Sequence, residues 1–158
     1  MNTMGTSCVA TDVQDVVKDA IARAVAIIGI GAVALIHLLD APGKFDETPY
    51  MGWMYVGLIA TCIVLAAGLW SSSDLRIWAA TAALPVAVLV GFTLTRTTGL
   101  PQANGDIGNW TESLGLASLF VEVSLVALAS AVVATRRTHT VGVGSRIAVT
   151  SERARLRA

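Results

Sequence analysis

The sequence predicts an all-α protein: a four-helix transmembrane bundle with both termini cytoplasmic, an amphipathic N-terminal helical extension and a basic C-terminal tail. Three observations predict it. Of 158 residues, 54% are hydrophobic and 14% are charged, where a soluble domain carries about 25% charged residues. Four apolar segments reach or approach the roughly 20 residues that a helix rising 1.5 Å per residue needs to cross a ~30 Å hydrocarbon core. Lys and Arg are also distributed very unequally among the connections.

Residues 1–20 read as a cytoplasmic lead-in. Thr11, Asp12, Val13 and Gln14 have the form of a capping box, followed by Asp15 in the first turn, so a helix is expected to start there. No Gly or Pro intervenes before Gly29, and the lead-in should continue directly into the first span. A cleaved signal peptide would open on a basic stretch, but Asp12, Asp15 and Asp19 outnumber Lys18 and Arg23. Cleavage is not expected.

Residues 21–135 form the transmembrane domain, with spans at about 21–40, 51–70, 76–96 and 114–135. Asp40, Ala41, Pro42 and Gly43 should stop the first helix, and Thr48 with Pro49 should open the second, Pro49 being suited to a first helical turn. Ser71 to Asp74 reads as a tight turn whose Ser or Asp can cap the third helix. Gly99 to Gly108 is the longest loop. Trp53, Trp70, Trp78 and Trp110 lie near expected helix ends, where amphipathic rings favour the headgroup region. Residues 136–158 form the tail, with six arginines against Glu152, and Gly142 and Gly144 should break any long helix there. Its simplest role is to anchor topology and attract anionic lipid, at about 1 kcal/mol per basic residue near the surface.

Orientation follows from Lys and Arg. With both termini cytoplasmic, the inner side carries nine of them and leaves only Lys44 and Arg96 outside. Both longer connections then face outward. The expected location is a bacterial plasma membrane, with the lipid bilayer as the first partner and a larger membrane complex or a homo-oligomer as the second. Eleven basic residues balance eleven acidic ones, so no basic footprint suggests a nucleic acid. Cys8 and Cys62 lie in different settings, one polar and one apolar, and Cys62 reads as a small hydrophobe.

Ionisable groups inside a membrane cost at least ~2.5 kcal/mol at mid-bilayer, so each is a site hypothesis. His37 lies about one turn below the outer end of the first helix, and Arg96 ends the third. Glu122 lies about 12 Å into the fourth. All three belong to the outer half and can form one cluster. Gly115, Ser118, Glu122, Ala129 and Ser130 make a small or polar stripe that should turn Glu122 to the interior. Tyr55, Thr93 and Thr97 are hydroxyl partners within range. In the plainer reading Arg96 and Glu122 form a buried ion pair that fixes helix register. In the functional one Glu122, desolvated, takes up a proton with His37 as relay.

His37 with Glu47, Met51 and Met54 would supply donors for a soft metal, but two methionines three apart are more often packing. Haem held by two histidines would need a second intramembrane His, and His139 lies on the other side. No cofactor is favoured. No P-loop, GxGxxG, HExxH or CxxC occurs, and no nucleophile has a base and an orienting acid at recognisable spacing, so enzyme activity is not expected.

His37-Leu-Leu, Pro49-Tyr-Met-Gly-Trp53, Thr95-Arg-Thr-Thr-Gly-Leu-Pro101, Gly108-Asn-Trp110 and Leu114-Gly-Leu-Ala-Ser-Leu119 with Val121-Glu122 resemble segments of small four-span integral membrane proteins of actinobacteria. The resemblance covers roughly residues 30 to 125. It implies the topology and the plasma-membrane location, and no catalytic role.

Two classes of function fit these residues. The chain is an accessory or structural subunit of a membrane complex, which its size favours. Alternatively it is an outward-facing binder of a proton, metal or small ligand, acting as carrier, sensor or redox helper through His37, Arg96 and Glu122. No internal repeat suggests the paired halves common in alternating-access transporters.

Overall fold

The computed structural model describes the backbone of residues 3–102 and 104–155 and the side chains of residues 13–102 and 104–138. Four helices follow one another: α1 (Thr3–Glu47), α2 (Pro49–Ser71), α3 (Leu75–Thr97) and α4 (Ser113–Arg155). Each contains a stretch long and apolar enough to cross a membrane: Val13–Glu47, Pro49–Ser71, Leu75–Thr97 and Ser113–Thr138. A helix of 23 residues such as α2 or α3 rises about 34 Å, which exceeds a ~30 Å hydrocarbon core. The chain is a small multi-pass membrane protein with an all-α four-helix fold.

Lipid tails are as apolar as Leu, so close packing and interior polar contacts hold such helices together, not expulsion from water. The buried centre accordingly mixes small and large side chains. Ala26, Ile30 and Val33 come from α1, Cys62 and Leu69 from α2, Trp78 from α3, and Leu125 and Ala129 from α4. Spacings of three, four and seven place each set on one helix face. At Gly29 an added Cβ would lie 3.2 Å from a methyl of Leu125, which shows how closely α1 and α4 approach. Ile28, Leu38, Val64, Trp70 and Phe120 face outward, as expected of helices apolar all round. α1 contacts both α2 and α4, and α4 contacts α3, while the contact between α2 and α3 is much thinner than these three.

One end of the bundle carries the α1–α2 corner and the connection 98–112, and is called here the loop end. At the opposite, termini end, Ser72 to Asp74 turn the chain. The Asp74 carboxylate accepts from the Arg76 N–H at 3.0 Å and caps α3. Arg136 ties this end together. It donates to Asp19 on α1 and to the carbonyl and hydroxyl of Ser73, and it stacks 5.5 Å from the Trp78 ring.

Several boundaries differ from those expected. α1 begins at Thr3 and runs through Thr11, which is therefore no cap. It also passes Pro42 and Gly43 to end at Glu47. Pro42 lacks the N–H that the Leu38 carbonyl would accept. The helix nonetheless continues because Lys44 is anchored by Glu47 and Asp106, and because Thr48 N–H donates to the Lys44 carbonyl at 2.9 Å. Only Thr48 separates α1 from α2, whose Pro49 stands in the first turn as anticipated. α4 continues past Gly142 and Gly144 to Arg155, since Gly weakens a helix by about 1 kcal/mol without forbidding it. Trp78, expected at a headgroup boundary, is fully buried, whereas Trp53 and Trp70 are exposed. Ser130 is exposed and does not share the interior stripe. Cys62 is a buried free thiol, while the side chains of Cys8, His139 and the distal arginines of the tail lie outside the described residues.

Candidate functional site

The loop end is built around two buried cations. Lys44, near the end of α1, donates to Glu47 at 3.1 Å and to Asp106 at 3.0 Å. Arg96, in the last turn of α3, meets the other oxygen of Asp106 at 3.1 Å and donates to Glu112. Its guanidinium lies 4.9 Å from the centre of the Phe92 ring. Asp106 therefore bridges α1 and α3 with one carboxylate, one oxygen to each cation. Burying a charge is expensive unless it is paired and hydrogen-bonded, and each cation here has two carboxylates.

The connection 98–112 is shaped to deliver those acids. Gly99 adopts φ +74°, and its N–H donates to the Leu94 carbonyl at 2.9 Å, closing α3. A Cβ at Gly99 would lie 2.6 Å from the Asn104 side-chain oxygen, and the positive φ strains any larger residue there whatever the space. Gly108, also at positive φ, returns an N–H to the Arg96 carbonyl at 2.9 Å. Tyr50 donates to the Pro101 carbonyl at 2.7 Å, holding the loop over the start of α2.

Beneath these ion pairs lies a cavity of about 270 Å³ walled by all four helices. Toward the loop it is lined by His37, Asp40, Lys44, Arg96, Asp106 and Glu112, and deeper by Leu58, Leu84, Ala87 and Val88. Two further wall residues, Met51 and Met54, come from α2. Met54 and Ala87 line the cavity and are also exposed, so the cavity reaches the protein surface along the thin seam between α2 and α3.

His37 is buried, and its Nδ1 donates to the Val33 carbonyl at 2.8 Å. Its ring meets that of Tyr55 edge to face at 4.8 Å. The Tyr55 hydroxyl donates to Asp40 at 3.0 Å. Glu122 is fully buried and accepts from Ser118 at 2.5 Å, while its second oxygen has no partner among the described residues. Ser118 lines the cavity, and Glu122 stands behind it.

The expected Arg96 to Glu122 pair is thus not the one that forms. The structure brings His37, Arg96, Tyr55, Met51 and Met54 to one cavity, and Glu122 touches it only through Ser118. Thr93 and Thr97 face outward and donate to carbonyls of their own helix, at 2.8 and 2.7 Å, so neither supports the site. Glu47 is largely exposed and occupied with Lys44. Among the described residues no three or more His, Cys, Asp or Glu side chains gather as a metal centre.

Sequence reasoning missed Asp40, Lys44, Asp106 and Glu112 as site residues, and had Ser118 on the interior stripe without a role in the site. A signal for the ion pairs was present: Lys44 and Arg96 are the two bases of the loop end, and the acids that accompany them fall in the same connections. No family model, curated protein or solved structure matches the chain. The arrangement can recognise a ligand by charge and hydrogen bonding at one end and by apolar contact at the other.

Proposed function

We propose that this membrane protein binds a small ligand with one polar and one apolar end in the loop-end cavity, as a carrier or sensor. The cavity itself supports this reading. A polar cluster that only locked helices together would close on itself, because protein interiors leave few voids larger than a water. Here about 270 Å³ stays open beside buried ionic groups and reaches the lipid-facing surface. A concave, mostly apolar pocket with a few convergent polar groups is what small-molecule sites have in common. The excess of Lys and Arg near the termini further supports both termini cytoplasmic and the cavity in the external half of a bacterial plasma membrane.

Gly91 supplies the test, because it lines the cavity and a Cβ there would meet nothing within 4 Å. Gly91→Leu should fill the space without disturbing the helices. Protein purified in mild detergent is examined by native mass spectrometry, with its metal content and absorption spectrum. The expected result is a stoichiometric small molecule on the wild type that Gly91→Leu loses while its unfolding temperature holds. A wild type that carries no ligand and a stoichiometric protein partner would instead identify an accessory or structural subunit of a larger membrane complex.

A further inference from the structure

We infer that the ligand is a lipophilic amine: a single-chain molecule whose protonated nitrogen sits against Asp40 and His37 and whose tail occupies the apolar depth of the cavity. This rests on the ligand-binding reading above and gives that ligand a chemical class. Four observations lead to it.

The first is charge. Of the ionised groups in the cavity wall, Lys44 and Arg96 are positive and Asp40, Asp106 and Glu112 are negative. Both cations are already used, Lys44 by Glu47 and Asp106, Arg96 by Asp106 and Glu112. Asp40 is left over. Among the described residues its one hydrogen-bond donor is the neutral Tyr55 hydroxyl. Asp40 is half-buried in the cavity wall, and a cation is the complement of a carboxylate that has no counter-charge of its own.

The second is the histidine. A carbonyl can only accept, so the bond to Val33 fixes the proton of the neutral ring on Nδ1 and leaves Nε2 as an acceptor. His37 is 7% exposed, lines the cavity, and no described donor reaches that nitrogen. His37 and Asp40 are three apart on α1, hence on one face. Two acceptors one turn apart ask for N–H donors, which an ammonium supplies and a carboxylate or phosphate does not.

The third is aromatic. Tyr55 lines the space, and ring faces attract cations; the Phe92 ring is already taken by the Arg96 guanidinium. The fourth is size and access. At about 30 Å³ for each, as for water, 270 Å³ admits on the order of ten non-hydrogen atoms, and the seam between α2 and α3 lets a tail extend into lipid. A phospholipid bearing an ammonium also carries a phosphate, a glycerol and two chains, more than on the order of ten non-hydrogen atoms, so a free single-chain amine fits and such a lipid does not.

Octylamine, octanol and octanoate share a chain and differ in the charge of the head. The protein is placed in phosphatidylcholine nanodiscs, and radiolabelled octylamine is measured by equilibrium dialysis against empty discs. Saturable binding near one per chain is expected, displaced by unlabelled octylamine and by neither octanol nor octanoate. Asp40→Asn keeps the acceptor for Tyr55 and removes the charge. It should weaken octylamine about 10- to 100-fold, the loss of one charged hydrogen bond. Equal displacement by octanol, or an affinity unchanged in Asp40→Asn, overturns the amine and leaves the ligand reading standing. Should Asp40→Asn fail to fold, the selectivity of the wild type among the three heads decides alone. Displacement by phosphatidylethanolamine in the disc overturns the single-chain assignment. If none of the three binds saturably, the amine falls, and the Gly91→Leu comparison separately decides the ligand reading.

Discussion

Arg96 is 6% exposed at the end of a membrane helix, and its partners are supplied by the connection that follows it. Removing the guanidinium leaves Asp106 with Lys44 alone and Glu112 without its cation. Breaking one side of a buried ionic group costs about 3 to 5 kcal/mol, and Glu112 and Asp106 are partly solvated, which moves the expectation toward the lower figure. Arg96→Ala should therefore lose about 3 kcal/mol in unfolding followed by circular dichroism in mild detergent. Arg96→Lys should fall between, because one ammonium replaces the two guanidinium nitrogens that separately meet Asp106 and Glu112. Equal stability of all three proteins would mean that the ion pairs do not hold the loop. At this scale the sequence was half legible. The cost of burying charge singled out His37, Arg96 and Glu122 correctly as interior groups. The partners of Arg96, Asp106 and Glu112, depend on a loop path set by positive φ at Gly99 and Gly108, which no spacing rule encodes. Thr93 and Thr97 show the same limit: a hydroxyl in a helix can satisfy itself on the carbonyl four residues back and need not face a site.

Helices were far more legible than their ends. Span length, turn residues and capping chemistry located all four, including Pro49 in the first turn of α2 and Asp74 as the cap of α3. The misplaced end at Pro42 has a physical cause. Proline penalises a helix through one missing bond and one steric contact, a finite cost that tertiary anchors can outweigh. In α1 those anchors are the two carboxylates on Lys44 and the buried Thr48 corner. The penalty should thus still be present and recoverable. Pro42 is exposed, so Pro42→Ala restores a donor to the Leu38 carbonyl without disturbing packing. It is expected to stabilise the protein by on the order of 1 to 3 kcal/mol. Hydrogen exchange at residue 42 and the unfolding midpoint in denaturing detergent check it together: slow exchange with a raised midpoint is expected, and a lowered midpoint would mean that the proline is needed to shape the corner.

For the molecule as a whole, an even number of spans puts both ends of the bundle's chain on one side, and the charges choose which side. The termini end holds Lys18, Arg23, Arg76, Arg136 and Arg137, while the loop end holds Lys44 and Arg96. Those last two are neutralised by Glu47, Asp106 and Glu112, so as folded they offer the cytoplasmic leaflet little net attraction. Arg136 is likewise joined to Asp19 and Ser73. In the proposed orientation the basic residues of the C-terminal segment and of the turns would hold the termini end on the cytoplasmic side during insertion, before such pairs close. Two cysteine variants in a Cys8→Ser, Cys62→Ala background measure the outcome in intact bacterial cells: Asn104→Cys in the exposed loop and Ser73→Cys in the opposite turn. A membrane-impermeant maleimide should label residue 104 from outside and reach residue 73 only after the cells are opened. The reversed pattern would place the cavity in the cytoplasmic half, and any ligand would then be drawn from the cell interior.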